Sequence, residues 1–203
     1  MALNSNALTT LAMAKTYLKI PPAETQYDAI IELLINAASE RLEKDCDRVL
    51  KKKTGIVEYQ DGRGQNIIVL KQFPVVQVTE LKLATDSDFT SSETVVPASD
   101  YEITDDDNCI LLQGRPFPRA YRSIKITYDA GYNPIPPDLE LACLWIVFWQ
   151  HRIRDAQDIG RQGKSKEGES ISYLQDAPKD VKDTINRYRR TEFSVPNAQI
   201  QNY

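Results

Sequence analysis

Histidine occurs once in this chain, as His151, and the three cysteines, Cys46, Cys109 and Cys143, lie far apart with no Cys-x-x-Cys pair. These scarcities exclude most metal and redox chemistry. A structural zinc site needs closely spaced Cys and His ligands, and an odd number of distant cysteines makes no disulfide framework. A reducing compartment is the simpler reading. A long apolar run is also missing. Leu139–Trp149, the strongest, is broken by Glu140 and falls well short of the ~20 residues that span a bilayer. Met1–Thr10 has neither the basic start nor the apolar centre of a signal peptide. A soluble protein with no membrane partner is expected. Nor is there an excess of positive charge. The formal net charge of −4 disfavours a free, sequence-independent DNA binder, whose affinity comes from neutralising phosphates.

Catalytic signals are equally sparse. His151 would need a positioned nucleophile and an orienting acid to act as a base, and no such set is recognisable. Asp105-Asp106-Asp107-Asn108 could offer oxygens to a cation, but it lacks the EF-hand spacing and its distal Glu, so it reads as a hairpin tip. Asp61-Gly62-Arg63-Gly64 lacks the Gly-Lys-Ser/Thr ending of a phosphate loop and reads as a turn. The sequence therefore implies no enzyme, no cofactor and no metal.

What is present is patterning for packing. Leu11, Ala14 and Leu18 are helically spaced behind a capping Thr9 or Thr10, and Pro21-Pro22 ends that helix. A long helix is predicted over Glu24–Val49, where Tyr27, Ile30, Ile31, Leu34, Ala38, Leu42, Cys46 and Val49 draw one apolar stripe. Lys51–Tyr128 is β-rich. Val57 and Tyr59 alternate with Glu58, Ile67–Leu70 and Val75–Leu83 read as strands, and Tyr101–Thr104 with Cys109–Leu112 as a hairpin. Asp86–Ser99 is polar and reads as a loop, while Ile124, Ile126 and Tyr128 share one face of a half-buried strand. A second long helix, Pro137–Arg154, is apolar almost all round, so it must be covered on more than one side. Trp145, Phe148 and Trp149 cannot all face one neighbour, which makes them candidates for packing between subunits. Gly160–Ser170 has the composition of a flexible loop. Pro178–Arg190 is a last helix, and Thr191–Tyr203 a tail. The fold class is α+β: a helical core of residues 1–50 and 134–190, a β-rich insertion at 51–133, and an extended arm at 191–203.

The order and spacing of four segments resembles the gp6-like head–tail connector family of tailed bacteriophages. They are Leu8–Leu18, with the pattern L-x-x-A-K-x-x-L; Tyr27–Glu40, with small residues in the apolar stripe; Ile126–Tyr132 through Pro137-Asp138-Leu139; and Pro178–Arg190, ending Tyr188-Arg189-Arg190. The resemblance implies a structural adaptor in the virion neck, made in the host cytoplasm. It would form a homo-oligomeric ring, a dodecamer, beneath the portal protein and join it to a stopper or tail-completion protein. Genomic DNA would pass through the channel without sequence-specific contact. It also implies a C-terminal arm that reaches the portal. By position that arm carries Phe193, Val195, Ile200 and Tyr203, with Arg189 and Arg190 placed to pair with acidic portal groups. A simpler role for those arginines is to complement the helix dipole. Arg161, Lys164 and Lys166 could line the channel or touch a neighbouring subunit, although Glu167 and Glu169 beside them weaken a DNA reading. Another neck component, a stopper or tail terminator, would be more β-dominated. A small DNA-processing enzyme would need a constellation of polar groups that is not seen.

Overall fold

The first helix, α1 (Leu11–Leu18), starts where Thr10 accepts the Met13 N–H on its hydroxyl and stops at Lys19, whose left-handed backbone (φ 59°) closes the last turn. The computed structural model describes residues 2–85, 89, 93–104, 108–155, 163–166, 169–172 and 179–190, with backbone only at 155, 163–166 and 169–172. The fold is α+β and divides into two compact units. One comprises Met1–Leu50 and Pro134–Arg189, and the other contains Lys51–Asn133.

The helical unit holds α1, α2 (Asp28–Cys46), α3 (Pro137–Asp155) and α4 (Lys179–Tyr188). Helix α2 is shorter than the predicted Glu24–Val49 at both ends. At its start, the buried Lys15 ammonium donates to the carbonyls of Pro22 and Glu24 and to the Asp28 carboxylate, at 3.0, 2.7 and 2.7 Å. Using all three donors in this way fixes residues 22–27 as a turn. At its end, Asp47 takes the left-handed conformation (φ 53°) and returns its N–H to the helix, which leaves Val49 outside. Ile31, Ile35, Ala38, Ser39, Leu42 and Cys46 form the buried stripe, and α2 packs on α3 through it. Helix α3 answers with Leu139, Ala142, Cys143, Ile146 and Val147, also buried. Ser39 Oγ lies 3.6 Å from Cys143 Sγ across this contact.

In the β unit, β1 (Lys53–Arg63) pairs antiparallel with β7 (Arg119–Ala130), β7 with β3 (Val75–Leu83), and β3 with β4 (Thr94–Val95). The sheet order is β1-β7-β3-β4, and a smaller antiparallel sheet has the order β2 (Ile67–Val69), β6 (Cys109–Leu112), β5 (Tyr101–Ile103). One apolar cluster draws on both sheets, with Ile68, Ile110 and Leu112 from the small one and Leu81, Ile124 and Ile126 from the large one.

Three expectations need correcting. Asp61–Arg63 are strand rather than turn, because β1 runs through Arg63. Gly62 serves close approach: a Cβ there would stand 1.7 Å from the Pro118 carbonyl oxygen. Second, the stretch expected as the loop Asp86–Ser99 contains β4 and leads into a 3₁₀ turn at Ala98–Asp100; Val96 N–H donates to Leu81 O at 2.8 Å, which ties this segment to β3. Third, Gly160–Ser170, expected as a flexible loop, contributes to an antiparallel hairpin of β8 (Gly163–Lys166) and β9 (Glu169–Ser172). The two-residue connection is the length hairpins favour, and the mixed charges concealed the pairing. The alternation expected around Glu58 is present in β1, with its apolar side facing outward. Val57 is 51% and Tyr59 37% exposed, while Glu58 is buried. Its carboxylate accepts from the Tyr128 hydroxyl (2.6 Å), the Lys71 N–H (3.1 Å) and Gln60 Nε2 (2.7 Å). A buried carboxylate so supplied with donors is tolerated.

Replacing Gly62 with alanine is expected to cost at least ~2 kcal/mol, because the Cβ meets backbone that cannot rotate away. Gly55→Ala, where a Cβ meets nothing within 4 Å but φ is +66°, should cost about 1 kcal/mol. Denaturant midpoints of the two variants check the order. Burial, followed by the hydrogen bond to Glu58, pushes the Tyr128 phenol well above its ordinary value of 10.0. The stabilisation is therefore complete below about pH 10 and is lost as pH rises toward the folded-state value. Unfolding midpoints measured at pH 9 and 11 should fall less steeply with pH in Tyr128→Phe than in the parent.

Candidate functional site

Only part of the α3 surface is covered by α2. Leu141, Trp145 and Phe148 recur at helical spacing on another side, and Leu141 is 55% exposed. Phe148 meets the Tyr17 ring of α1 edge-on, with centroids 6.0 Å apart, while Trp145 and Trp149 stack on each other at 6.0 Å and 6°. The three aromatics predicted to pack between subunits are thus half-buried within their own unit.

Between α1, α3 and α4 lies a groove of 480 Å³. Its floor is apolar, formed by Leu141, Ala142, Trp145 and Val181 with Tyr17 at one side, and its rim carries Asp138, Asp180, Asp183 and Arg187. Asp138 holds the groove together. It stands in the first turn of α3 and accepts from the Tyr188 hydroxyl (2.8 Å) and Arg187 Nη1 (2.9 Å) of α4, and from its neighbour Leu139 N–H (3.0 Å). The positive end of α3 favours a carboxylate there. Partners 49 and 50 residues away leave no local signal in the sequence. Asp180 and Asp183 are exposed and make no ion pair among the described residues, so the rim is acidic.

The other predicted residues are placed differently. Arg189 donates from Nε to the Asp45 carbonyl at 3.0 Å, satisfying a carbonyl at the C-terminal end of α2. Arg190 is half-buried. Phe193, Val195, Ile200, Tyr203 and Arg161 lie outside the described residues. Lys164 and Lys166 sit on β8, in register with Ile171 and Glu169 of β9. Arg187 borders the groove.

Nothing in this neighbourhood resembles an activated catalytic group. Burial pushes both the Cys46 and Cys143 thiols up to about 11, which keeps them protonated and unreactive near neutral pH. The His151 ring stands edge-on to Tyr27 at 6.2 Å. Among the described residues no three His, Cys, Asp or Glu side chains converge to hold a metal, and no helix is long and apolar enough to cross a membrane.

A family model described as head completion protein matches residues 7–191. The chain belongs to the head completion protein family. The resemblance to phage head–tail connectors read from the sequence agrees with this membership. Solved structures share the fold over nearly the whole chain. A chain from the neck of an empty gene transfer agent (GTA) particle, computed with C6 symmetry, is 18% identical with a TM-score of 0.63, covering 97% of this chain and 96% of its own. A chain from the neck of the native GTA particle, computed with C12 symmetry, is 20% identical with a TM-score of 0.61, covering 97% and 99%. A third, from the virion of the native GTA particle, is 19% identical with a TM-score of 0.62, covering 97% and 96%. No curated protein sequence matches.

Removing the clasp should loosen α4 before the rest of the helical unit. Asp138→Ala is expected to leave the unit folded but to weaken α4 by about 1–2 kcal/mol. Hydrogen exchange would show this as roughly tenfold or faster exchange confined to the Lys179–Tyr188 amides.

Proposed function

We propose that this chain is the head–tail connector, or adaptor, of a tailed phage or phage-like particle. Copies form a ring, a dodecamer, beneath the portal in the virion neck, join it to a stopper or tail-completion protein, and surround the channel through which DNA passes. Membership of the head completion protein family over residues 7–191 carries this reading. It is supported by a shared fold with neck subunits of a particle computed with C6 and C12 symmetry. The role is structural and requires no cofactor.

The physical chemistry is consistent with that role. A closed ring of identical subunits uses a heterologous contact, in which two different surfaces of each copy meet. The half-covered α3 and its acidic groove supply one surface of the needed kind. We read residues 1–50 and 134–190 as the helical core, 51–133 as the insertion, and 191–203 as an arm that orders on the portal, at an entropic cost met by contacts made there. Phe193, Val195, Ile200 and Tyr203 would be its apolar anchors, with Arg189 and Arg190 at its root. Arg161, Lys164 and Lys166 would face the channel or a neighbour.

Electron microscopy of the full-length chain mixed with its portal should show a ring attached at the narrow end of the portal. Truncation after Arg190 should abolish attachment. A truncated chain that attaches normally would remove the arm from the proposal, and purified virion necks lacking the protein would refute the proposal itself.

A further inference from the structure

Strand β7 departs from regular pairing at several points, most widely near Tyr121. Gln60 of β1 lies opposite Ile124, but Gly62 lies opposite Ala120, so Tyr121, Arg122 and Ser123 bulge against a single residue, Asp61. Bulges of this kind re-aim side chains. Tyr121 is 72% exposed, the highest value among the exposed large hydrophobic residues. Arg122 beside it adopts φ +45° without being glycine, a conformation L-residues avoid. Two contacts hold it there: its N–H donates to Asp61 Oδ1 at 2.8 Å, and its guanidinium lies 4.6 Å from the Tyr59 ring centroid. Next to the bulge, Arg63 and Arg119 are directly opposite each other. Like charges facing across a pair of strands repel, and neither arginine has an acidic partner among the described residues. This end of the sheet therefore presents an exposed aromatic side chain beside three arginines and one carboxylate, that of Asp61.

The α1–α3–α4 groove has the opposite character: an apolar floor large enough for a phenol ring and a rim with unpaired Asp180 and Asp183. We propose that Tyr121 and Arg122 of one copy insert into this groove on the next copy. Tyr121 would lie against Leu141 and Trp145, and Arg122 would face Asp180 and Asp183. Because the two surfaces differ, the contact is heterologous and repeats from copy to copy, as a ring requires. Burial of the arginines against carboxylates would relieve their mutual repulsion. This assignment rests on the adaptor reading and specifies the subunit contact within it.

The test uses full-length chain with Cys109→Ser, since the remaining cysteines are buried, assembled with its portal. Tyr121→Cys and Leu141→Cys are introduced in separate preparations, mixed, and treated with a short bis-maleimide. A cross-linked dimer is expected in the mixture and in neither preparation alone, and the double variant should give a ladder of higher multimers. Arg122→Glu should reduce that ladder at least tenfold, and Asp180→Arg with Asp183→Arg should restore it. Arg122→Gly serves as the folding control. It removes the cation while easing the backbone, so the monomer should melt no lower than the parent although assembly weakens. Rings that form on the portal without a cross-link between positions 121 and 141 would overturn the contact and leave the adaptor reading intact. Failure of the parent chain to form rings on its portal would instead count against that reading. A cross-link from position 141 to a Val195→Cys arm of the same chain would overturn the contact by filling the groove from within. So would an Arg122→Gly chain that loses affinity for duplex DNA yet keeps its ladder.

Discussion

The helical unit depends on close contact between α2 and α3, and that contact depends on small side chains at its centre. Ala38 and Ser39 on α2 and Ala142 and Cys143 on α3 are all buried, and the 3.6 Å approach of Ser39 Oγ to Cys143 Sγ leaves no room for anything larger. Around them Ile31, Ile35, Leu42, Leu139, Ile146 and Val147 are fully or almost fully removed from water, each contributing roughly 1.5–3 kcal/mol. A bulky residue at position 39 or 143 would push the helices apart and weaken all of these together, since interiors are close-packed and transmit strain. Once α3 has used that face on α2, the helices among the described residues that pack on its remaining side are α1 and α4. Helix α1 is 8 residues long and α4 is 10, too short to bury every side chain on a 19-residue helix. Leu141 is left exposed and the groove follows.

The β unit is ordered by a different constraint. Glu58 is buried among apolar residues and is acceptable only because Tyr128, Lys71 and Gln60 all donate to it. Such a network is satisfied in one register alone, with Glu58 opposite Ile126 and Ile56 opposite Tyr128. Sliding β1 by one residue would turn the carboxylate to the outer face and leave the Tyr128 hydroxyl without its acceptor. The polar contact thus specifies alignment, while Ile124, Ile126 and Leu81 supply the burial. With the middle of β1 and β7 fixed in this way, the irregularities between them fall on either side of it, one between Lys53 and Ile56 and the other at the Tyr121–Ser123 bulge, close to the close-packed Gly62.

Much of this was legible in the residues. Helical spacing identified α1, α2, α3 and α4, and alternation identified the Ile124–Tyr128 face and the Tyr101–Leu112 hairpin, because those signals are local. The orientation of β1 was not legible. Alternation of Val57 and Tyr59 around Glu58 is symmetrical between its two faces, and only the position of the Tyr128 hydroxyl, 70 residues away, decides which is buried. The β8–β9 hairpin was missed because its charged residues carry no apolar period. The aromatics Trp145, Phe148 and Trp149 were expected to need more than one neighbour; i, i+4 stacking of the two tryptophans and the edge contact to Tyr17 take up part of their surface. The groove itself, formed by residues from three distant helices, has no linear signature.

Local unfavourable terms indicate where a chain has been shaped by something other than its own stability. A left-handed arginine costs about 1–2 kcal/mol, and a facing arginine pair a further few tenths to about 1 kcal/mol. A domain with roughly 5–15 kcal/mol of net stability can carry both, yet neither is needed to close the strand pair: glycine at 122 would relax the first, and a neutral residue at 63 or 119 the second. Asp183 on α4 likewise makes no ion pair among the described residues, while Asp180 stands in the first turn of α4, where the positive helix end favours it. In the contact proposed above, the positive charge at one end of the sheet would meet the carboxylates around the groove. In a ring, every copy offers both surfaces, and the repulsion each carries in isolation adds to the attraction gained on closure.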